Sequence, residues 1–193
     1  MKMNFLKKIN SWWEFEGKYY HKDFANGVKN LWKWFLVIWK DRDWDDHYIF
    51  EVLKFKINKQ ADYIGGRNIH VNAKRDAEVM RLVSKLIKLN QDEFYAMEYM
   101  DYHETKYDFI PTDETEKWFT MADELISERF DEYFKKYPRQ YKKVMSGELK
   151  FHSKPIDTTD KKIVAMTIAH ANQERCHKLL FDILRDNIRR WWD

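Results

Sequence analysis

The sequence predicts an all-α chain folded as a single helical bundle, with long antiparallel helices and an N-terminal aromatic arm. Three observations predict it. Glycine and proline number only five and three in 193 residues, so few positions break a helix. Apolar residues recur at spacings of three and four along most of the chain. The gaps between these stripes are short, which packs the helices as neighbours in one domain, residues 1–193.

The stretch up to Tyr20 is apolar and basic, with Phe5, Leu6, Trp12, Trp13 and Phe15. Glu14 and Glu16 interrupt its basic face, so it reads as an arm across the bundle rather than a membrane-surface helix. His21–Trp39 is the first long helix, with Phe24, Val28, Leu31, Phe35 and Ile38 on one stripe. A second helix starts at Asp43 or Asp45, either of which can cap free backbone N–H groups. Its stripe is Ile49, Val52, Leu53 and Ile57 to Ile64, and Gly65-Gly66 is expected to end it. Asn72 to about Lys106 reads as one long helix through Ala77, Met80, Val83, Ile87, Phe94 and Met97. Another starts at Thr112 or Asp113, with Glu116 completing a capping box, and runs through Phe119, Leu125, Ile126 and Phe130 to Tyr137. Pro138–Met145 is a short helix and Glu148–Asp157 a loop. Thr158 or Asp160 opens the last helix, whose stripe runs Ile163, Met166, His170, Gln173, His177, Leu180, Leu184, Ile188 and Trp191.

Composition narrows the function classes. Basic and acidic residues number 35 and 32, a net charge of +3, which is no strong nucleic-acid signal. Cys176 is the only cysteine, so no intrachain disulfide forms and a reducing compartment is expected. The apolar run Phe35–Trp39 is too short for a transmembrane segment. Nine Trp, eleven Tyr and thirteen Phe serve mostly as core filling.

Two polar constellations stand out. The first is the junction Trp39-Lys40-Asp41-Arg42-Asp43-Trp44-Asp45-Asp46-His47-Tyr48. Capping and a bridged Arg42 account for its aspartates. Its functional reading is one wall of a pocket, with Trp39, Trp44 or Tyr48 stacking on a base and Lys40, Arg42, His47 or Lys106 meeting a phosphate. The second is the polar break His170, Gln173 and His177, with Glu174 beside them, in the last helix's apolar stripe. Such groups must pair, hydrate or bind something. Glu174 and His177 have the Glu-x-x-His spacing of di-iron bundles, but no second such pair exists. No cofactor and no metal is expected. No Walker loop, nucleophile elbow or zinc spacing is present, so no enzyme is indicated. His47 and Glu51 meeting His170, Glu174 or His177 in one wet cavity would account for both constellations together.

Two stretches resemble a widespread group of uncharacterised tailed-phage proteins. One is Trp34-Phe35 through Trp39-Lys40-Asp41-Arg42-Asp43-Trp44-Asp45 and His47-Tyr48. The other is His177-Lys178-Leu179-Leu180-Phe181 through Trp191-Trp192-Asp193. The resemblance implies a phage or prophage origin and a place of action in the cytoplasm of the infected bacterium. Small helical phage proteins of this kind include several that sequester host immune nucleotides, as sponges against host defence.

The expectation is therefore a phage accessory protein that binds a small phosphorylated, nucleotide-type ligand without turnover. The alternative is an interaction or structural protein that binds a host or virion protein through exposed tryptophan-rich surfaces, with homo-oligomers possible. Its mark would be tryptophans gathered on the surface.

Overall fold

The computed structural model describes residues 10–14, 17–42, 44–112, 117–150 and 156–192. The start of the predicted arm, the Asp43 cap, the capping box at residues 113–116 and the middle of the 148–157 loop fall outside these residues. Contacts divide the chain into two compact units, Met1–Lys56 and Ile57–Asp193.

In the first unit, a turn of 3-10 helix at Gly17–Tyr19 leads into α1, Tyr20–Trp39. The next helix, α2, is Asp46–Arg67, and its first three turns, to Lys56, belong to this unit. Asp45 caps α2 as its sequence suggests: the His47 amide donates to Asp45 Oδ1 at 2.9 Å, satisfying a free first-turn N–H. Trp34 packs edge-on against Phe55 at 4.6 Å between ring centres. That contact and half-buried Val37 mark the side of α1 turned toward α2.

In the second unit, α2 runs past the glycines that were expected to stop it. Gly65 is there for close approach instead, since a Cβ on it would lie 2.9 Å from the Ala77 Cβ. The left-handed turn falls on Asn68, φ 49°, a residue that tolerates it. Helix α3, Ala73–Gln91, buries Ala73, Ala77, Met80, Val83, Leu86 and Ile87. The long helix predicted to Lys106 ends here. Glu93 takes φ 46°, and a short α4, Phe94–Met97, passes into a 3-10 turn at Glu98–Tyr102.

The all-α expectation fails at the next step. His103–Pro111 (β1) and Phe119–Glu128 (β2) form an antiparallel two-stranded hairpin. Tyr107 stands opposite Asp123, Phe109 opposite Met121 and Pro111 opposite Phe119. The register slips after Glu104, which leaves Ile126 as the extra residue of a bulge. The pattern Thr105, Tyr107, Phe109 has the period of two that strands require, and β-branched and aromatic residues favour it. In 119–128 the apolar residues fit both periods, and pairing with β1 decides. The Arg129 amide bonds the Tyr102 carbonyl at 2.7 Å and the Thr112 amide the Trp118 carbonyl at 2.8 Å, closing the two ends.

Three helices complete the unit: α5, Phe130–Lys136; α6, Pro138–Met145; and α7, Lys161–Asn187. Asp160 caps α7, accepting from the amides of Lys162 at 2.8 Å and Ile163 at 3.2 Å. Helix α7 is the spine, packed against α3, α4, α5 and α6. Its buried stripe is Ala165, Ala169, Asn172, Cys176, Leu180 and Leu184; Leu180 and Leu184 are buried as predicted, and ahead of them the stripe is rotated away from Met166, His170, Gln173 and His177. The core joins Ile168 and Val164 of α7 to Tyr99, Phe130, Tyr133, Phe134 and Val144.

Candidate functional site

Most of the described residues of the junction are exposed. Trp39 is 72% and Trp44 82% exposed, and Lys40, Arg42 and His47 are exposed as well. Arg42 Nη1 donates to the neighbouring Asp41 carbonyl at 2.8 Å. His47 stacks edge-on with half-buried Tyr48 at 5.6 Å and lies 4.0 Å from Glu51, which also binds Lys54. Lys106, on β1 of the second unit, is occupied with Asp108 at 3.1 Å.

The polar break in α7 also falls elsewhere than predicted. His170 pairs with Glu174 at 3.2 Å on the helix surface, an ordinary i,i+4 pair. Exposed His177 rests on Phe181 at 4.8 Å. Half-buried Gln173 donates to the Asn90 carbonyl at 3.4 Å. The buried polar residues of the helix are Thr167 and Asn172, neither of them a member of the predicted stripe. Thr167 is satisfied by the Ile163 carbonyl at 2.8 Å. His47 and Glu51 belong to the first unit and the α7 histidines to the second.

What the sequence missed is a cleft of about 230 Å³ in the second unit, lined by Leu86, Tyr95, Tyr137, Gln140, Asn172, Arg175, Cys176 and Leu179. Asn172 is buried, and its Nδ2 completes no hydrogen bond of normal geometry. The same holds for the hydroxyl of fully buried Tyr133, next to which Asn172 lies. Tyr137 on the cleft wall donates to Glu98 at 2.6 Å, and Glu98 also binds Lys136. Burial first, then the hydrogen bond and charge of Glu98, push the Tyr137 hydroxyl far above the usual tyrosine range. Burial pushes the Cys176 thiol up as well, against a weaker opposing hydrogen bond from Asn90. A thiol so raised is a poor nucleophile. The cleft thus offers two phenol rings, two amides and a rim guanidinium, groups that can hold a small polar ligand. The sequence signal for the burial of Glu98 lies in Tyr95 and Tyr102, about one turn away on either side, and in Tyr99 next to it.

The other anomaly is α1. It buries none of its twenty residues. Phe24, Val28, Leu31, Phe35 and Ile38 are all exposed, although their spacing is that of a buried stripe. Trp32 at 81% and Leu36 at 71% exposure widen the apolar arc. Trp32 stacks on Phe35 at 6.2 Å, and Phe35 contacts Trp39 at 5.3 Å, an aromatic ladder along the helix. Trp12 and Trp13 are exposed in the same unit, whereas Trp191, at the other end of the chain, is buried.

Among the described residues no group of three His, Cys, Asp or Glu side chains is placed to hold a metal ion, and no helix is long and apolar enough to cross a membrane. Comparisons of the chain with known protein families, curated proteins and solved structures find no match in any of the three.

Proposed function

We propose that this chain acts by docking, as an accessory protein whose first unit presents a broad apolar, tryptophan-rich surface to a larger partner. One observation carries the reading: a twenty-residue helix with a regular apolar stripe and no buried residue. Exposed contiguous apolar surface of this extent marks interaction sites. Tryptophan, with a large apolar body and a polar N–H, is enriched at their hot spots. The phage resemblance would place the partner in the infected bacterium. The test is fractionation of a bacterial lysate containing the protein. Wild type should leave the monomer fraction, and Leu31→Ser/Phe35→Ser should return it there. A wild-type chain that elutes from the lysate as a free monomer would end this reading.

The cleft of the second unit favours a second reading, binding of a small phosphorylated, nucleotide-type ligand without turnover. Arg175 would meet the anion and Tyr95 or Tyr137 a planar group, with the Gln140 and Asn172 amides available to polar edges of the ligand. A thermal-shift panel of linear and cyclic nucleotides tests it, with chromatography for products. A stabilising nucleotide whose effect is lost in Arg175→Ala is the expected outcome; no shift with any of them counts against the cleft.

A further inference from the structure

The α1 face has features that select its occupant. On a helical projection, Trp34 and Val37 fall on the side turned toward α2. From beside Trp34 the apolar arc runs through Leu31, Phe24 and Phe35 to Val28, Trp39 and Trp32 on the far side, and Leu36 ends it on the other flank. Beyond that flank run Lys22, Lys29, Lys33 and Lys40 in a single stripe. Between Tyr20 and Lys40 these four lysines face only one acid, Asp23. An apolar groove of about 510 Å³ lies along Val28, Leu31, Trp32 and Phe35, with Lys29 and Lys33 also in its lining.

Resting on the docking reading above, we propose that α1 lies in the plane of an anionic lipid bilayer surface, with its apolar arc in the acyl boundary and its lysine stripe among the headgroups. Three features favour lipid over a second copy of the chain. First, the arc is wider than a helix–helix seam: a paired helix needs only the stripe through Phe24, Val28, Leu31, Phe35 and Ile38, and leaves Leu36 and Trp32 in water. Second, the positions flanking that stripe are Ala25, Gly27, Trp32, Trp34 and Trp39, with none of the charge pairs that fix a coiled-coil partner. Third, the lysines share one sign and one face, which repels a second copy and matches anionic headgroups. Indole rings such as Trp32 and Trp39 settle at the level of the headgroups. The exposed side chains contribute on the order of 100 Å² each, and together reach roughly the 800 Å² that one partner supplies to a stable interface.

The experiment is vesicle flotation with the full chain, using phosphatidylcholine alone and a roughly 7:3 mixture with phosphatidylglycerol. Wild type should float with the anionic vesicles and stay behind with the neutral ones, and added salt should release it. Lys29→Glu/Lys33→Glu should weaken partition at least about tenfold, because each lysine near the surface matters separately. Trp32→Ser/Leu36→Ser should weaken it as well, and both side-chain pairs are exposed, so circular dichroism should show the fold intact. Absence of flotation with anionic vesicles overturns the proposal. So does light scattering that finds a dimer which Trp32→Ser/Leu36→Ser converts to monomer. That second result would leave the docking reading standing with another copy as partner. Failure to float together with a free monomer in lysate would remove both.

Discussion

Lys136→Met tests the energetics of the Glu98 cluster. The Glu98 side chain is 5% exposed and that of Lys136 49%. Removing the ammonium leaves a buried carboxylate held by the Tyr137 hydroxyl. Breaking a fully buried ion pair costs about 3–5 kcal/mol. Here one partner is half in water, so screening lowers the figure to about 2 kcal/mol, the size of a hydrogen bond to a charged group. With a urea dependence of roughly 2 kcal/mol per molar, the midpoint should fall by about 1 M at an unchanged slope. Adding Glu98→Met removes the stranded charge, and the double variant should recover more than half of that loss. Urea titration by circular dichroism measures both. A Lys136→Met variant within about 0.5 kcal/mol of wild type refutes the argument, and so does a double variant as unstable as the sum of the two single ones.

Two further outcomes follow from the same physics. The Tyr137 hydroxyl titrates higher in the folded chain than in the unfolded one, so its contribution is complete below about pH 10 and is lost as pH rises from there toward the folded value. Stability measured by urea from pH 8 to 11 should fall at the alkaline end, and Tyr137→Phe should flatten that fall; an equally steep decline in the variant contradicts the assignment. Gly65 and Gly66 form a matched pair, since a Cβ at 65 meets Ala77 at 2.9 Å while one at 66 meets nothing within 4 Å. Gly65→Ala should lose about 1–2 kcal/mol despite its gain in helix propensity; Gly66→Ala should gain about 0.5–1 kcal/mol. Equal thermal shifts for the two would show that the α2–α3 approach is not tight.

Most helices were legible because their cause is local. The stripe Ala77, Met80, Val83, Ile87 is buried in α3 as its spacing requires, and the Asp45 and Asp160 caps are chemistry within three residues. The hairpin was hidden because its cause is not local. Phe119, Leu125 and Ile126 satisfy a helical period as well as a strand, and the choice rests on β1, whose residues lie from eight positions earlier, Pro111 against Phe119, to twenty-five, His103 against Glu128. On α7 the helix was legible and its rotation was not. His170 and His177 fit an apolar stripe that lies beside the buried one, where Ala169, Asn172 and Cys176 meet the core. Small and polar residues carry little weight in a hydrophobic pattern, so the cleft that Asn172 and Cys176 line left no mark in it. The α1 stripe was read correctly as a pattern and wrongly as burial: periodicity shows that a helix has an apolar face, not that its own chain covers it.

The single thiol has a consequence of its own. Cys176 sits on the inner face of α7, 5% exposed, with the Asn90 amide 3.4 Å from its sulfur. A bulky maleimide or disulfide reagent needs that sulfur ionised and accessible, and burial withholds both. A reagent too large for the cleft must wait until α7 lifts from α3. The protein therefore carries its own clock: the rate at which one sulfur is labelled in native buffer counts how often the spine of the second unit comes away, without denaturant, dye or engineered probe.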